Sequence, residues 1–175
     1  MIFPPQLHWV SGIEPARLAL TPRPRGGEWL ADEVAGWKRN AVDTVVSLLE
    51  RQEMFELELR DEAALCERQA IEFLHHPITD RGLPASEAAF LRLVDTVHAR
   101  LAEGRAVVIH CRAGIGRTGL LAGCVLHVMG VPSHEVFDVL SRSRGVAMPD
   151  TAAQAAWVET FARRRRAGRE PGDGT

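Results

Sequence analysis

One stretch constrains this chain more than any other: Val107-Val108-Ile109-His110-Cys111-Arg112-Ala113-Gly114-Ile115-Gly116-Arg117-Thr118-Gly119. Three β-branched residues in a row read as a buried strand. The glycines that follow break it, and the apolar run from Gly116 onward reads as a buried helix. Strand, tight turn and helix in that order belong to an α/β layer architecture, in which a strand is covered on both faces. The turn has a chemical consequence as well. It can aim successive backbone N–H groups into one concavity, and the N terminus of the following helix adds partial positive charge, so a phosphate-sized anion suits the spot. A Walker-type loop fits poorly, because Cys111 and Arg117 stand where its first glycine and its lysine belong.

The rest of the sequence repeats the alternation. Strands are predicted near His8 to Val10, Leu18 to Leu20, Thr44 to Leu49, Ile71 to His75 and Ala106 to His110. Helices are predicted over Glu28 to Arg39, Asp61 to Gln69, Ser86 to Glu103, Gly116 to Met129, His134 to Ser143 and Thr151 to Arg165. Ser86 and Ser133 are candidate N-caps, and Gly104 and Gly130 candidate helix stops. The fold class expected is α/β, a central, mostly parallel sheet flanked by helices. A chain of 175 residues suits one domain, taken as 1–166, with 167–175 as a tail.

Composition narrows the function classes. With 46% hydrophobic and 25% charged residues the chain is neither disordered nor a disulfide scaffold. Lys plus Arg number 21 against 23 Asp plus Glu, so no global field favours nucleic acid or a membrane surface. The apolar run Gly119 to Leu126 ends at His127, short of the ~20 residues that span a bilayer. No basic region followed by an apolar segment opens the sequence, so a cytoplasmic location is expected. Cys66, Cys111 and Cys124 are odd in number and lack Cys-x-x-Cys spacing; they read as free thiols, with a protective disulfide to Cys111 as the minor alternative. His75, His76, His98 and His127 lack metal-ligand spacing and read as structural, and Arg163 to Arg166 reads as a solvated helix end.

A cysteine at the base of an anion cradle sits in a field that favours its thiolate, which makes Cys111 a candidate nucleophile. Arg117 can present a planar fork to two phosphate oxygens, and Gly114 and Gly116 let the backbone approach closely. At these residues the chain resembles the Cys-based protein tyrosine phosphatase superfamily. The signature His-Cys-x5-Arg-Ser/Thr is met by His110, Cys111, Arg117 and Thr118, with Gly114 in its expected place. A chance match in a chain this long is on the order of one in 10⁴ to 10⁵. The resemblance covers about Trp29 to Trp157 and looks like the small dual-specificity branch. Within it, His75-His76-Pro77-Ile78-Thr79-Asp80 is similar to the kinase-associated phosphatases.

The resemblance implies that Cys111 attacks phosphorus and that Asp80, about thirty residues earlier, is the general acid. It implies that Arg117 and the loop Arg112, Ala113, Gly114, Ile115 and Gly116 hold the phosphate. Thr118 then assists the departing thiolate, and His110 orders the loop behind the cysteine. Gln154, in a segment resembling the one that follows the signature in many of these enzymes, is the candidate to position water. Should Asp80 fail as the acid, Asp43 or Asp150 is next. The resemblance implies no metal or organic cofactor, and as partners phosphorylated proteins, with phosphate or other oxyanions in the site. Two alternatives remain: a phosphoinositide or small-molecule phosphatase, and a phosphate-binding module without catalysis. Arg112 is either a solvated loop arginine or a rim charge that favours acidic substrates.

Overall fold

The computed structural model describes residues 4–168. The elements in order are β1 (His8–Trp9), β2 (Arg17–Thr21), a 3-10 turn at Gly27–Trp29, α1 (Leu30–Arg39), β3 (Thr44–Ser47), α2 (Arg51–Glu56), α3 (Glu62–Arg68) and β4 (Glu72–His75). They continue with α4 (Glu87–Ala102), β5 (Ala106–His110), α5 (Gly116–Val128), α6 (Val136–Arg144) and α7 (Ala152–Ala167). The five strands form one sheet in the order β1-β2-β5-β3-β4, parallel except for the antiparallel edge strand β1. This is the α/β fold with a mostly parallel sheet that the sequence predicts.

The period-two alternation of the strands builds two cores. Leu18, Leu20, Val46, Val107 and Ile109 face one layer with α4 to α7; Ala19, Val45 and Val108 face the other, with α1, α3 and Leu59. β5 lies at the centre, paired with β2 and β3, and all five of its residues are buried. α5 is apolar all round because it is enclosed between β5, α4, α6 and α7. Among the described residues no helix is long and apolar enough to cross a membrane.

Several expected boundaries move. Ser86 caps α4, its side chain accepting from Ala89 N–H at 3.3 Å, and Gly104 and Gly130 take positive φ just past their helices. Ser133 is not an N-cap: the chain makes a turn there, closed by Glu135 N–H to Pro132 C=O, and α6 starts from Glu135. α2 went unread in the sequence; a capping box between Glu50 and Glu53 holds this six-residue helix. α7 extends through Ala167, the first residue assigned to the tail, while 169–175 lie outside the described residues. The Arg163 to Arg166 run is more than a solvated end, since Arg164 pairs with Glu87 at 2.6 Å and Arg165 with Asp95 at 3.4 Å, tying α7 to α4.

Because Ile109 is fully buried between β2 and β3, Ile109→Ala leaves a cavity that neighbours cannot close. Urea denaturation should read a loss of roughly 2–5 kcal/mol, and a loss below about 1 kcal/mol would contradict this packing.

Candidate active site

Strand parity decides which layer each signature residue enters. Ile109 faces the α5 layer, so His110 turns to the α1 and α3 layer and Cys111 returns to the α5 layer. Cys111 leaves the end of β5 almost fully buried, and Thr118, in the first turn of α5, donates its hydroxyl to Cys111 Sγ at 3.2 Å. The loop between them needs glycine at 114: φ is +69°, and a Cβ there would lie 2.3 Å from the Thr21 carbonyl oxygen. Arg144 of α6 braces the same loop from behind, donating through Nη2 to Ala113 C=O at 2.9 Å and through Nε to Gly114 C=O at 3.2 Å. In a trans peptide the N–H points away from the C=O, so these two bonds turn the N–H groups of Gly114 and Ile115 to the opposite side. Arg144 Nη1 also lies 3.3 Å from His8 Nε2, which must accept, and burial together with the Arg144 charge lowers the His8 pKa.

Arg117 is 1% exposed, and its guanidinium is met on several sides. Nη1 donates to Glu53 Oε2 at 2.6 Å and to Ile78 C=O at 2.9 Å; Nη2 donates to Glu53 Oε1 at 3.0 Å and to Asp80 Oδ1 at 3.0 Å. The fork-to-fork pair with Glu53 fixes the plane of the arginine. Burial alone would raise the Glu53 carboxyl. The Arg117 hydrogen bond, the Glu50 N–H and the charges of Arg117 and Arg112 outweigh it and hold the carboxyl below its ordinary range. Asp80 is 55% exposed on the loop after β4, which is anchored by Ile78 N–H to Leu48 C=O and by the Thr79 hydroxyl to Glu50 Oε1 at 3.3 Å. Of the other two acid candidates, Asp43 accepts from Ala106 N–H at the opposite end of β5, and Asp150 crowds Gly116 at the start of α5.

Behind the cysteine lies a pair without solvent contact. His110 Nδ1 is 3.2 Å from Cys111 C=O and Nε2 is 2.7 Å from Glu62 Oε1 of α3, both side chains being wholly buried. Each ring nitrogen of His110 thus faces an oxygen, one from the strand end and one from α3. Glu62 Oε2 has no partner among the described residues. Cys66, one turn along α3, is pushed up to about 12 by burial and by the Glu62 charge, and burial likewise raises Cys124. All three cysteines are free.

Gln154, the candidate to position water, is fully buried. It completes the capping box of α7 with Thr151, and its Nε2 donates to Gly82 C=O at 3.2 Å, linking α7 to the loop of Asp80. Arg112 is 47% exposed at the rim, with Glu53 and Glu56 at 3.5 and 3.7 Å. The structure therefore brings Cys111, Arg117, Thr118, Asp80 and the loop 112–116 together, with His110 behind and Gln154 beside. Sequence reading missed Glu53, Glu62 and Arg144.

Comparison with known proteins agrees with this geometry. A family model described as the polymorphic toxin system DSP-PTPase phosphatase matches residues 21–131. A cyclin-dependent kinase inhibitor 3 from Sus scrofa is 32% identical over 89 residues, 50% of this chain and 42% of that protein. The chain spans about half the length of the curated relatives it matches. Among solved structures, a kinase-associated phosphatase with serine in place of its catalytic-site cysteine superimposes with a TM-score of 0.83 at 21% identity, covering 95% of this chain and 99% of that one. Tk-PTP in its active form gives 0.72 at 26% identity, covering 91% and 98%.

Glu53→Gln keeps the shape of the side chain but removes the charge that Arg117 faces, and should lower stability near neutral pH by about 2 kcal/mol. A carboxyl held low in the folded state stabilises above its unfolded value, and that contribution is lost as pH falls through the folded one. Urea melts from about pH 7 down to about pH 3 should thus show a smaller acid-side decline in the variant than in the parent chain. Equal declines would contradict the pairing.

Proposed function

The chain belongs to the DSP-PTPase phosphatase family, and on that premise we propose that it is a cysteine-dependent phosphomonoester hydrolase acting on phosphotyrosine, and on phosphoserine or phosphothreonine, in proteins. The observation that carries the reading is the 3.0 Å contact between Arg117 Nη2 and Asp80 Oδ1, which joins the acid loop to the loop around Cys111. Two segments far apart in sequence meet at one point, where an anion gripped by Arg117 has a thiol on one side and a carboxyl on the other.

In the first step Cys111 Sγ attacks phosphorus as the P–O bond to the leaving group breaks, and protonated Asp80 donates to the departing oxygen. Arg117 and the loop N–H groups hold the equatorial oxygens, where stabilisation of a phosphoryl transfer is greatest. In the second step water attacks the phosphocysteine, giving its proton to ionised Asp80, and the S–P bond breaks to release inorganic phosphate. Thr118 supports this step because its hydroxyl already points at the sulfur. His110 and Glu62 act as positioning residues through the Cys111 carbonyl, and Gln154, its amide taken up by Thr151 N–H and Gly82 C=O, holds the acid loop. A reducing, cytoplasmic setting suits a reaction that depends on a free thiol.

Cys111→Ser should abolish hydrolysis of para-nitrophenyl phosphate while vanadate still binds, and turnover surviving the substitution would refute the mechanism. Asp80→Ala should lower kcat roughly 10²- to 10⁴-fold and remove the fall in rate on the alkaline side of the pH profile. An unchanged profile would assign the acid elsewhere, Asp150 being the next carboxylate to test.

A further inference from the structure

One cavity lies outside the reaction centre yet shares a wall with it. It has a volume of about 680 Å³, and its lining includes Gln6, Thr21, Arg23, Arg25, Glu33 and Arg112. Two contacts fix its position. Arg23 N–H donates to Arg112 C=O at 3.1 Å, and the Thr21–Pro22 backbone fills the space that a Cβ on Gly114 would need. The segment after β2 is thus packed directly on the anion loop, and a group in this cavity sits beside a group on Cys111.

Its charge is uneven: three arginines line it against one glutamate, and that glutamate, Glu33, is paired with Arg25. Arg25 also lies over the Trp29 ring, 5.2 Å from its centroid. Arg23 is half-buried and commits Nη1 to the Pro24 carbonyl at 3.1 Å, and Arg112 leans only loosely toward Glu53 and Glu56. A guanidinium offers five donors in a planar fork that matches carboxylate and phosphate oxygens. Gln6 and Thr21 add neutral polar residues to the same walls.

We propose that this cavity is a subsite for a second anionic group on a phosphopeptide, a carboxylate or a further phosphate within about three residues, roughly 10 Å of extended chain, of the one being hydrolysed. The proposal rests on the phosphatase reading above. A peptide fits better than an anionic membrane because Arg112 is flanked by Glu56, 51% exposed, which lines a neighbouring cavity together with Glu58 and Asp61. A flat anionic surface would meet these carboxylates, whereas a single side chain can enter past them.

The test compares kcat/KM for para-nitrophenyl phosphate, a phosphotyrosyl peptide with neutral flanks, the same peptide with a second phosphate or with glutamates beside the phosphotyrosine, and vesicles containing phosphoinositide. The parent chain should favour the acidic peptides about five- to tenfold at low salt. Arg23→Ala should shrink that preference and Arg23→Glu reverse it, with para-nitrophenyl phosphate turnover within about twofold of the parent because it carries no second anion. Equal rates on both kinds of peptide, a preference that survives Arg23→Glu, or vesicles containing phosphoinositide hydrolysed in preference to every peptide would overturn the subsite. A parent chain inactive on every substrate removes the phosphatase reading and the subsite with it; an active one without preference removes the subsite alone.

Discussion

A guanidinium with almost no solvent contact has to be paired, and the pairing of Arg117 with Glu53 organises much of what surrounds it. The two planar groups meet edge to edge, and Ile78 C=O and Asp80 occupy further donors. That arrangement needs a carboxylate delivered from outside the sheet, which is what the short helix α2 provides. Glu53 serves twice, as the partner of Arg117 and as the residue that closes the capping box at Glu50. Glu50 in turn receives the Thr79 hydroxyl, so the start of α2 also steadies the loop bearing Asp80. One buried ion pair thereby sets the relation among α2, α5 and the loop bearing Asp80.

The second organising constraint is the two-residue period of β5. It puts Cys111 toward α5, where Thr118 and the helix N terminus can act on the sulfur, and His110 toward α1 and α3, where Glu62 and Trp37 receive it. The reactive layer and its support thus stand on opposite faces of one strand, separated by a peptide plane. A one-residue shift of register would exchange them. Pairing with β2 and β3 on both sides, with every side chain of β5 buried, opposes such a shift.

How much was legible in the sequence follows from distance along the chain. Cys111, Gly114, Arg117 and Thr118 fall within one strand–loop–helix unit, where local geometry follows from residue type. Asp80 could be placed only by the resemblance, since its turn setting alone reads as that of an ordinary loop aspartate. Glu53, Glu62 and Arg144 could not, because each acts across the fold from an element whose sequence gives no sign of its destination. α2 is also short, six residues, with too little apolar periodicity to read, whereas α3 lies inside the helix expected over Asp61 to Gln69. Glu62 is the sharpest case: in sequence it is one more charged residue beside Asp61, and in the fold it is wholly buried against His110. Nothing in the sequence marks Gln154 for burial either, since the loop bearing Asp80, which it meets at Gly82, is remote along the chain.

The central claim is chemical: one thiol carries the phosphoryl group between two steps. The measurement that tests it most directly is acid quenching of the protein during turnover of a phosphotyrosyl peptide, followed by proteolysis and mass analysis of the fragment containing Cys111. The account predicts that this fragment gains the mass of one phosphoryl group, more strongly in Asp80→Asn, where water lacks its base. A phosphoryl group on any other residue, or on none while phosphate is released, would contradict it.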